Sequence, residues 1–277
     1  MLADRELYMR ARQIRLDCAE MFHNSHTGHF GGCYSCAEIL ATLYFDVLNV
    51  DPARPAWPER DRFVLSKGHA APALYSALQQ RGFFPRSYIR RYETLCAELS
   101  THPNMLKVPG VDISSGSLGH GLSVGVGMAL AAKRDASPYA TFVLLGDGEC
   151  DEGMIWEGAM AAGHLHLDNL MVIVDRNRLC VSGDTEKVMA LEPLADKWRD
   201  FSFDVYETDG HDVAQLRQTF SSMRAKRNGK PQCLIAHTVK GKGVSFMENN
   251  VQWHGAHFDD ACYARIVAEL TGGASAQ

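Results

Sequence analysis

The sequence predicts an α/β fold in which a mostly parallel, doubly wound sheet carries helices on both faces. The apolar segments of the second half are short and nearly unbroken, as in strands that are buried on both faces. They alternate with helical patterns, which is typical of strand-helix-strand units. No internal repeat or long linker divides the 277 residues. A single domain over residues 1–277 is therefore expected, with a frayed tail at about 271–277.

The first half of the chain is predicted to be mainly helical. Apolar residues at helical spacing indicate helices over 5–23 and 34–48, with the loop HNSHTGHFGG between them. The segment RFVLSKGH indicates a strand before the helix APALYSALQQRG, and a loop over 100–121 precedes the helix LSVGVGMALAAKRD. Glycines in these loops let the backbone approach a ligand closely.

The second half supplies most of the predicted sheet. Strands are expected in four apolar segments, which are ATFVLL, NLMVIVD, FDVYETD and QCLIAHTV. Helices are expected between them, over 154–166, 190–200 and VAQLRQTFSSMRAKR. In an open parallel sheet the carboxyl ends of the strands meet along one edge, and ligands bind beyond that edge.

Composition and charge exclude several classes of function. A net charge of −5 and a pI near 6.2 are unfavourable for a surface that binds nucleic acid or an anionic membrane. No apolar segment is long enough to span a bilayer, and the charged N-terminal segment lacks the apolar core of a signal peptide. A cytoplasmic protein is expected.

The eight cysteines include one C-x-x-C pair, Cys33 and Cys36. Such a pair is found in redox centres and in half of a zinc site. No second C-x-x-C follows, and the pair leads directly into a helical pattern. Buried free thiols are therefore the favoured interpretation, and a metal or redox role is the alternative.

A carboxylate between two glycines marks the end of the ATFVLL strand. Gly146 and Gly148 can turn backbone N–H groups towards an anion such as a phosphate, but Asp147 would repel it. A divalent cation between them removes the conflict, and Mg²⁺ binds one or two protein oxygens together with phosphate oxygens. Asn177 follows Asp147 by about 30 residues, the length of a strand-helix-strand unit. Its amide oxygen and the carbonyl of Leu179 could complete the site, although a capping Asp and a turn Asn explain the spacing equally well.

Several segments together resemble the N-terminal part of the split transketolases, from about residue 10 to 258. They are SHTGHFGG, RFVLSKGH, SSGSLGHGLSVGVGMALAAK, GDGECDEGMIWEGAMAAGHLHLDNLMVIVDRN, EPLADKWRDFSFDVYETDGHD and IAHTVKGKGVSFMENNVQWHG. The resemblance implies the thiamine-diphosphate-binding fold of the pyrophosphate-binding type. It also implies a transferase of carbohydrate metabolism, which moves a two-carbon ketol unit from a ketose phosphate to an aldose.

The resemblance also implies roles for individual residues. Asp147, Asn177 and the Leu179 carbonyl would hold Mg²⁺, for which Ca²⁺ or Mn²⁺ could substitute. The cofactor would be contacted by backbone and side chains of His69, Gly116, Leu118, Gly146, Gly148, Glu149, Lys242 and His254. The proposed catalytic histidines, which line the substrate channel and relay protons in the family, are His29, His69, His102 and His254.

The acidic residues behind Asp147 are assigned different positions. The side chains of Glu149 and Asp151 are expected in solvent or at the start of the following helix, where carboxylates are favoured. Glu152 matches a family glutamate at the subunit interface that links two active sites, so it is counted among the catalytic residues. One departure from the family is His120, which stands where other members commonly have Gln.

An obligate partner chain is expected from the same resemblance. In the family, the glutamate that pairs with the pyrimidine ring of the cofactor belongs to a second, pyrimidine-binding domain. One α/β unit consumes the 277 residues, so that domain and the C-terminal domain are expected on a separate chain. The expected assembly is a heterotetramer that acts on sugar phosphates.

Two alternatives to a transketolase share the Gly-Asp-Gly and Asn motif. One is another thiamine-diphosphate enzyme, such as a 2-oxo-acid dehydrogenase α subunit or a 1-deoxyxylulose-5-phosphate synthase. The histidine set and EPLADKWR favour the transketolase type over both. The other alternative is a non-catalytic homologue that acts as a scaffold for a partner, against which the intact Asp147, Asn177 and histidines argue.

Overall fold

A computed structural model describes residues 2–256 and 259–272. In this part of the chain, five parallel strands form one sheet with the order β1-β2-β3-β7-β6, and a two-stranded antiparallel hairpin, β4-β5, lies apart from it. The strands are β1 Arg62–Leu65, β2 Thr141–Gly146, β3 Leu170–Arg176, β4 Leu179–Cys180, β5 Gly183–Asp184, β6 Asp204–Asp209 and β7 Gln232–His237.

Helices connect the strands and cover the sheet. In chain order they are α1 Asp4–Ser25, α2 Phe30–Ser35, α3 Ala37–Thr42, α4 Ala71–Arg81, α5 Ser87–Arg90, α6 His120–Arg134, α7 Gly153–His164, α8 Thr185–Val188, α9 Leu194–Asp200, α10 Val213–Ala225 and α11 Asp260–Thr271. Short 3-10 turns occupy Gly68–Ala70, Gly148–Asp151 and Val251–Trp253, and a π-helical turn spans Leu43–Val47. None of the described helices combines the length and apolar character needed to cross a membrane.

The alternation of side chains along the central strands produces two apolar cores. Phe142 and Leu144 of β2 face one side, where they pack with α1, α3, α4 and α10. Val143 and Leu145 face the other side, where α6, α7 and α9 cover the sheet. Both faces are therefore buried, and the predicted doubly wound parallel fold is confirmed.

The predicted elements differ from the structure mainly at their ends. The helix expected over 34–48 begins at Phe30 and is interrupted at Cys36, whose φ of −97° and ψ of 11° are not helical. The helix expected over 190–200 starts only at Leu194. The C-terminal helix α11 was not predicted, and the part of the expected frayed tail over 273–277 lies outside the described residues.

Candidate active site

A cleft of about 300 Å³ opens beyond the carboxyl ends of β2 and β3. The two strands end side by side, because Gly146 pairs in register with Asp175. The lining residues come from the loops that follow these strands and from neighbouring segments: Gly32, Lys67, His69, Leu118, Gly146, Asp147, Gly148, Glu149, Asp151, Glu152, Asn177, Leu179, Cys180, Val181, Ser182, Val188, Lys240 and His254. Most of the residues predicted from the sequence are therefore brought together.

Asp147 is buried at the start of the turn that follows β2. One carboxylate oxygen accepts the Gly148 N–H at 2.8 Å, and the other accepts the Arg178 N–H and lies 3.3 Å from Nη1 of Arg176. Burial, and then the nearby charge of Asp175, raises the pKa of Asp147 above its ordinary value. An added cation at this carboxylate would reverse that shift.

Asn177 and Leu179 lie in the turn after β3. The Asn177 side-chain oxygen accepts the Leu179 N–H at 3.2 Å, so it makes the local turn bond that the alternative interpretation requires. Asp147 likewise caps its own turn through Gly148. Capping and turn formation thus account for these hydrogen bonds, but they do not account for the presence of Asp147, Asn177 and Leu179 in one cleft.

The oxygen donors in the cleft fit a magnesium ion that shares its coordination with a ligand. Among the described residues, no group of three or more His, Cys, Asp or Glu side chains could hold a metal by itself. A single carboxylate, an amide oxygen and a carbonyl leave half of the octahedral positions to phosphate and water, which Mg²⁺ commonly keeps as ligands.

Three of the predicted histidines form a cluster beside the cleft. The ring centroids of His29, His69 and His254 are 5.4 to 5.8 Å apart. Burial, and then the charge of Lys240, lowers the pKa of His254 to about 4. Burial and then Lys67 lower the pKa of His69 well below its usual range, and burial followed by His102 lowers the pKa of His29. The clustered imidazoles are therefore neutral near pH 7.

The loop that carries Gly116 and Leu118 packs directly on the turn before His69. A Cβ atom on Gly68 would lie 2.7 Å from the Gly116 nitrogen, and one on Gly116 would lie 3.0 Å from the His102 ring. The two backbones can approach this closely because neither glycine has a side chain. The contact brings His102 next to Gly116, while Leu118 lines the cleft itself.

Glu149 corrects one expectation, because its side chain is buried and not solvated. Its carboxylate accepts the Ser66 hydroxyl at 2.5 Å and the Gly119 and Gly146 N–H groups at 3.0 Å each. Burial outweighs these bonds and raises the pKa of Glu149. The 3-10 turn directs this carboxylate inwards, where it ties together the loops that follow β1 and β2 and the one that precedes α6.

Lys67 and Asp175 form a buried ion pair that the sequence interpretation missed. Nζ of Lys67 lies 2.5 Å from the carboxylate and donates to the Gly32 carbonyl at 2.8 Å. The carboxylate also accepts the hydroxyls of Ser35 and Thr238. Although burial opposes it, the charge of Lys67 lowers the pKa of Asp175. The pair joins the ends of β1, β3 and β7 beneath the cleft.

A different lysine from the expected one lines the cleft. Lys242 pairs with Glu248 at 3.6 Å, and its side chain is 38% exposed. Lys240, two residues earlier, is buried and donates to the Leu179 carbonyl at 2.7 Å. Its Nζ lies 2.9 Å from Nδ1 of His254. Lys240, and not Lys242, is therefore the lysine of this segment that lines the cleft.

The remaining predicted residues lie in different environments. Asp151 and Glu152 line the cleft and are exposed in the single chain, and Glu152 is the N-cap residue of α7. His120 is the first residue of α6 and is also exposed, with Nδ1 3.3 Å from the Leu118 carbonyl. Cys33 and Cys36 are buried with free thiols, as the favoured interpretation expects.

Ligand binding beyond the carboxyl ends of parallel strands is the rule for doubly wound sheets, and comparison with known proteins identifies the family. Residues 8–270 match the family described as "Transketolase, thiamine diphosphate binding domain". The chain belongs to this transketolase family.

Individual relatives agree with this assignment. One of the subunits of the apulose-4-phosphate transketolase from Phocaeicola vulgatus is 47% identical over 248 residues, which cover 90% of this chain and 88% of that protein. The 6-deoxy-6-sulfo-D-fructose transketolase subunit SqwG from a Clostridium species is 42% identical over 266 residues, or 96% of each chain.

A solved structure extends the comparison to the fold. Transketolase from Leishmania mexicana superposes with a TM-score of 0.90 at 28% identity, over 98% of this chain and 42% of that one. This chain thus spans nearly the whole of the two subunits and about two fifths of the Leishmania enzyme. The predicted resemblance to the N-terminal subunit of a split transketolase is confirmed, and so is the fold.

Proposed function

We propose that this chain is the thiamine-diphosphate-binding subunit of a two-chain transketolase, which moves a two-carbon ketol unit from a ketose phosphate to an aldose acceptor. The observation that carries the proposal is the meeting, in one cleft, of the Asp147, Asn177 and Leu179 oxygens with the histidine cluster. Oxygen ligands suit a metal diphosphate, and imidazoles suit proton transfer on sugar hydroxyls. The subunit names of the relatives support the two-chain form.

In this proposal, different residues of the cleft bind the metal ion and the diphosphate of the cofactor. The Asp147 carboxylate, the Asn177 amide oxygen and the Leu179 carbonyl would hold Mg²⁺, or Ca²⁺ or Mn²⁺ in its place. Lys240 and His69 would face the diphosphate. Its negative charge would offset the free-energy cost of burying these two side chains. The chemistry that thiamine diphosphate supplies is a nucleophilic carbon and an electron sink, which protein side chains lack.

The histidines are proposed to act on the sugar substrate. Their lowered pKa values make His29, His69 and His254 neutral near pH 7. Nδ1 of His254 accepts a hydrogen bond from the Lys240 ammonium group, so this ring would donate to the substrate through Nε2. A neutral imidazole can take the proton of a substrate hydroxyl at its unprotonated nitrogen and return it later. His102, beside Gly116, is proposed as a fourth contact at the channel.

The partner chain is proposed to carry the pyrimidine-binding and C-terminal domains, with the chain described here as a single diphosphate- and metal-binding domain. Two copies of each chain would form a heterotetramer in the cytoplasm, with sugar phosphates as substrates. Glu152 is exposed at the rim of the cleft in the single chain. We place it at the contact between two copies of this chain, where its carboxylate would link their active sites.

Reconstitution tests the proposal. The chain is produced alone and together with the protein encoded by the neighbouring reading frame, and each preparation is assayed with a panel of ketose phosphates and aldose acceptors. Ketol transfer is expected only from the complex. Full activity of the chain alone would refute the two-chain form, and activity with pyruvate in place of ketose phosphates would favour another thiamine-diphosphate enzyme.

A binding measurement separates an enzyme from a scaffold. A ligand that binds only the folded state must raise its stability, by about 2.7 kcal/mol at a hundredfold excess over Kd. Thiamine diphosphate with Mg²⁺ is therefore expected to raise the Tm of the complex, and Asp147→Ala is expected to abolish the shift. An unchanged Tm for the wild-type complex would favour a non-catalytic scaffold.

A further inference from the structure

His211 follows strand β6 and bridges helix α3 and the segment that follows strand β7. Its Nδ1 lies 2.9 Å from Oε2 of Glu38 in α3, and its Nε2 accepts the backbone N–H of Val239 at 2.8 Å. The side chain is only 13% exposed. Both ring nitrogens are thus engaged, one by a side chain and one by the backbone that leads into the cleft.

These two contacts define the tautomer of the ring. Glu38 is buried and forms a two-point pair with Arg15, at 2.6 and 2.7 Å. Although burial raises it, the charge of Arg15 and the bond from His211 lower the pKa of Glu38 to about 2. An ionised carboxylate can only accept, so Nδ1 of His211 carries the proton. A backbone N–H can only donate, so Nε2 carries none.

The segment held by His211 leads directly into the cleft. Val239 precedes Lys240, whose Nζ donates to the Leu179 carbonyl. The Lys240 side chain also packs closely on Gly31, because a Cβ atom added to Gly31 would lie 2.7 Å from Cε of Lys240. The side chain therefore has little freedom to compensate for a shift of its own backbone.

A second anchor holds the same segment from the sheet side. Thr238 donates its N–H to the Arg176 carbonyl at 3.1 Å and its hydroxyl to Asp175. Thr238 and Val239 are thus fixed from opposite directions, by the central strand β3 and by His211. Loss of the His211 ring leaves the partly buried Val239 N–H without its acceptor, which the segment can relieve only by moving.

We propose that His211 is a positioning residue for cofactor binding, which holds the Val239–Lys240 backbone through its unprotonated Nε2 while the Arg15–Glu38 pair orients the ring. The inference rests on the proposed function, since it assigns Lys240 to the diphosphate. The positioning role depends on the hydrogen bond from the Val239 N–H to Nε2 of His211. The bond from Nδ1 to Glu38 can be removed separately and serves as the control.

Two substitutions separate the bonds. In His211→Gln the amide oxygen can reach the position of Nε2 and keep the Val239 N–H, whereas the contact with Glu38 is lost. In His211→Asn the amide nitrogen can reach the position of Nδ1 and keep Glu38, whereas the bond to Val239 is lost. Each variant removes one hydrogen bond, so a purely structural role of His211 predicts similar losses of stability and similar binding.

The positioning role predicts different outcomes for the two variants. In the full-length chain alone, amide hydrogen exchange at Val239 and Lys240 should accelerate at least tenfold in His211→Asn and remain within about threefold of wild type in His211→Gln. In the two-chain complex with Mg²⁺, the Kd for thiamine diphosphate should rise about tenfold in His211→Asn, the effect of ~1.4 kcal/mol. It should change less than threefold in His211→Gln.

Equal exchange rates and equal Kd values in the two variants would overturn the inference, as would a larger defect in His211→Gln. Tm values of both variants without cofactor show whether a general loss of stability explains the binding. A wild-type complex that does not bind thiamine diphosphate would refute the proposed function instead. The exchange rates would then still decide whether His211 fixes the Val239 backbone.

Discussion

Lys240 and Lys242 offer a direct test of the cleft, because they are two residues apart in TVKGKG and differ in environment. Lys240 is buried against Leu179 and His254, whereas Lys242 is partly exposed beside Glu248. We predict that Lys240→Met weakens the binding of thiamine diphosphate and at the same time stabilises the free chain. Lys242→Met, which removes the same charge nearby, should do neither.

The effect on stability follows from the pKa of Lys240. Burial lowers it from 10.5 to about 8, although Asp147 and Asp175 oppose the shift. This pKa difference of about 2.5 units corresponds to ~3 kcal/mol. Below pH 8, the charged Lys240 therefore destabilises the folded chain by this amount. The unfolded chain binds this proton more tightly, so stability rises with pH between about 8 and 10.5. Met removes the charge but also the bonds to Leu179 and His254, each worth about 1 kcal/mol, and the net gain expected at pH 7 is about 1 kcal/mol.

The effect on binding has the opposite sign. A hydrogen bond between an ammonium group and a phosphate oxygen in a desolvated site contributes about 1.5–3 kcal/mol. Loss of that contact from Lys240 should raise the Kd for thiamine diphosphate about 10- to 100-fold. A charge as exposed as that of Lys242 should change the Kd less than about threefold.

Urea unfolding of the free chain and calorimetric titration of the complex with thiamine diphosphate and Mg²⁺ measure the two effects separately. The pH dependence of unfolding adds a check, because the stability difference between wild type and Lys240→Met should shrink above pH 8. An equal rise in Kd for both methionine variants would refute the assignment of Lys240. So would a Lys240→Met chain that is less stable than wild type at pH 7.

Three further predictions concern packing, pH and assembly. Gly121→Ala should destabilise the chain by about 1–3 kcal/mol in urea unfolding, because its Cβ would lie 2.3 Å from the Ser66 hydroxyl, whereas Gly127→Ala on the same helix has nothing within 4 Å and should be neutral or slightly stabilising. The lowered pKa of Glu38, about 2 against an ordinary 4.5, stabilises the fold above pH 4.5 by ~3 kcal/mol. That contribution is lost as the pH falls towards 2, so the stability difference between wild type and Glu38→Gln should narrow over this range in unfolding titrations. Glu152→Ala should shift the complex towards smaller assemblies in analytical ultracentrifugation, and an unchanged sedimentation pattern with unchanged kinetics would discard its interface role.

The sheet and its functional edge could be predicted from the sequence because they depend on local patterns. The segments ATFVLL and NLMVIVD are short, apolar and separated by one helix, which leaves few alternatives to adjacent parallel strands. Once they are adjacent, Asp147 and Asn177 must lie at the same edge. The helix α11 also had local signals that were overlooked, an N-cap at Asp259 and a left-handed Gly272 at its end.

Side-chain direction within turns could not be predicted in the same way. The choice between Lys240 and Lys242 depends on a loop that is held by two contacts outside it. Thr238 donates its N–H to Arg176 of β3, and His211, after β6, accepts the N–H of Val239. The inward direction of Glu149 depends on Ser66, which is distant in sequence. In both cases the deciding partner is brought close only by the tertiary fold, so no spacing rule in the sequence could reveal it.

The charges in the cleft show why its stability and its function oppose each other. Burial raises the pKa of Asp147 and lowers those of Lys240 and His254, so each group is shifted towards its neutral form in the free chain. Such opposed shifts within one cleft are typical of functional sites. A divalent cation would favour the ionised form of Asp147, and a diphosphate would favour the protonated form of Lys240. The unfavourable electrostatics of the free chain would thus become binding energy for a ligand that carries both charges, which is why we expect Lys240→Met to gain stability and lose affinity together.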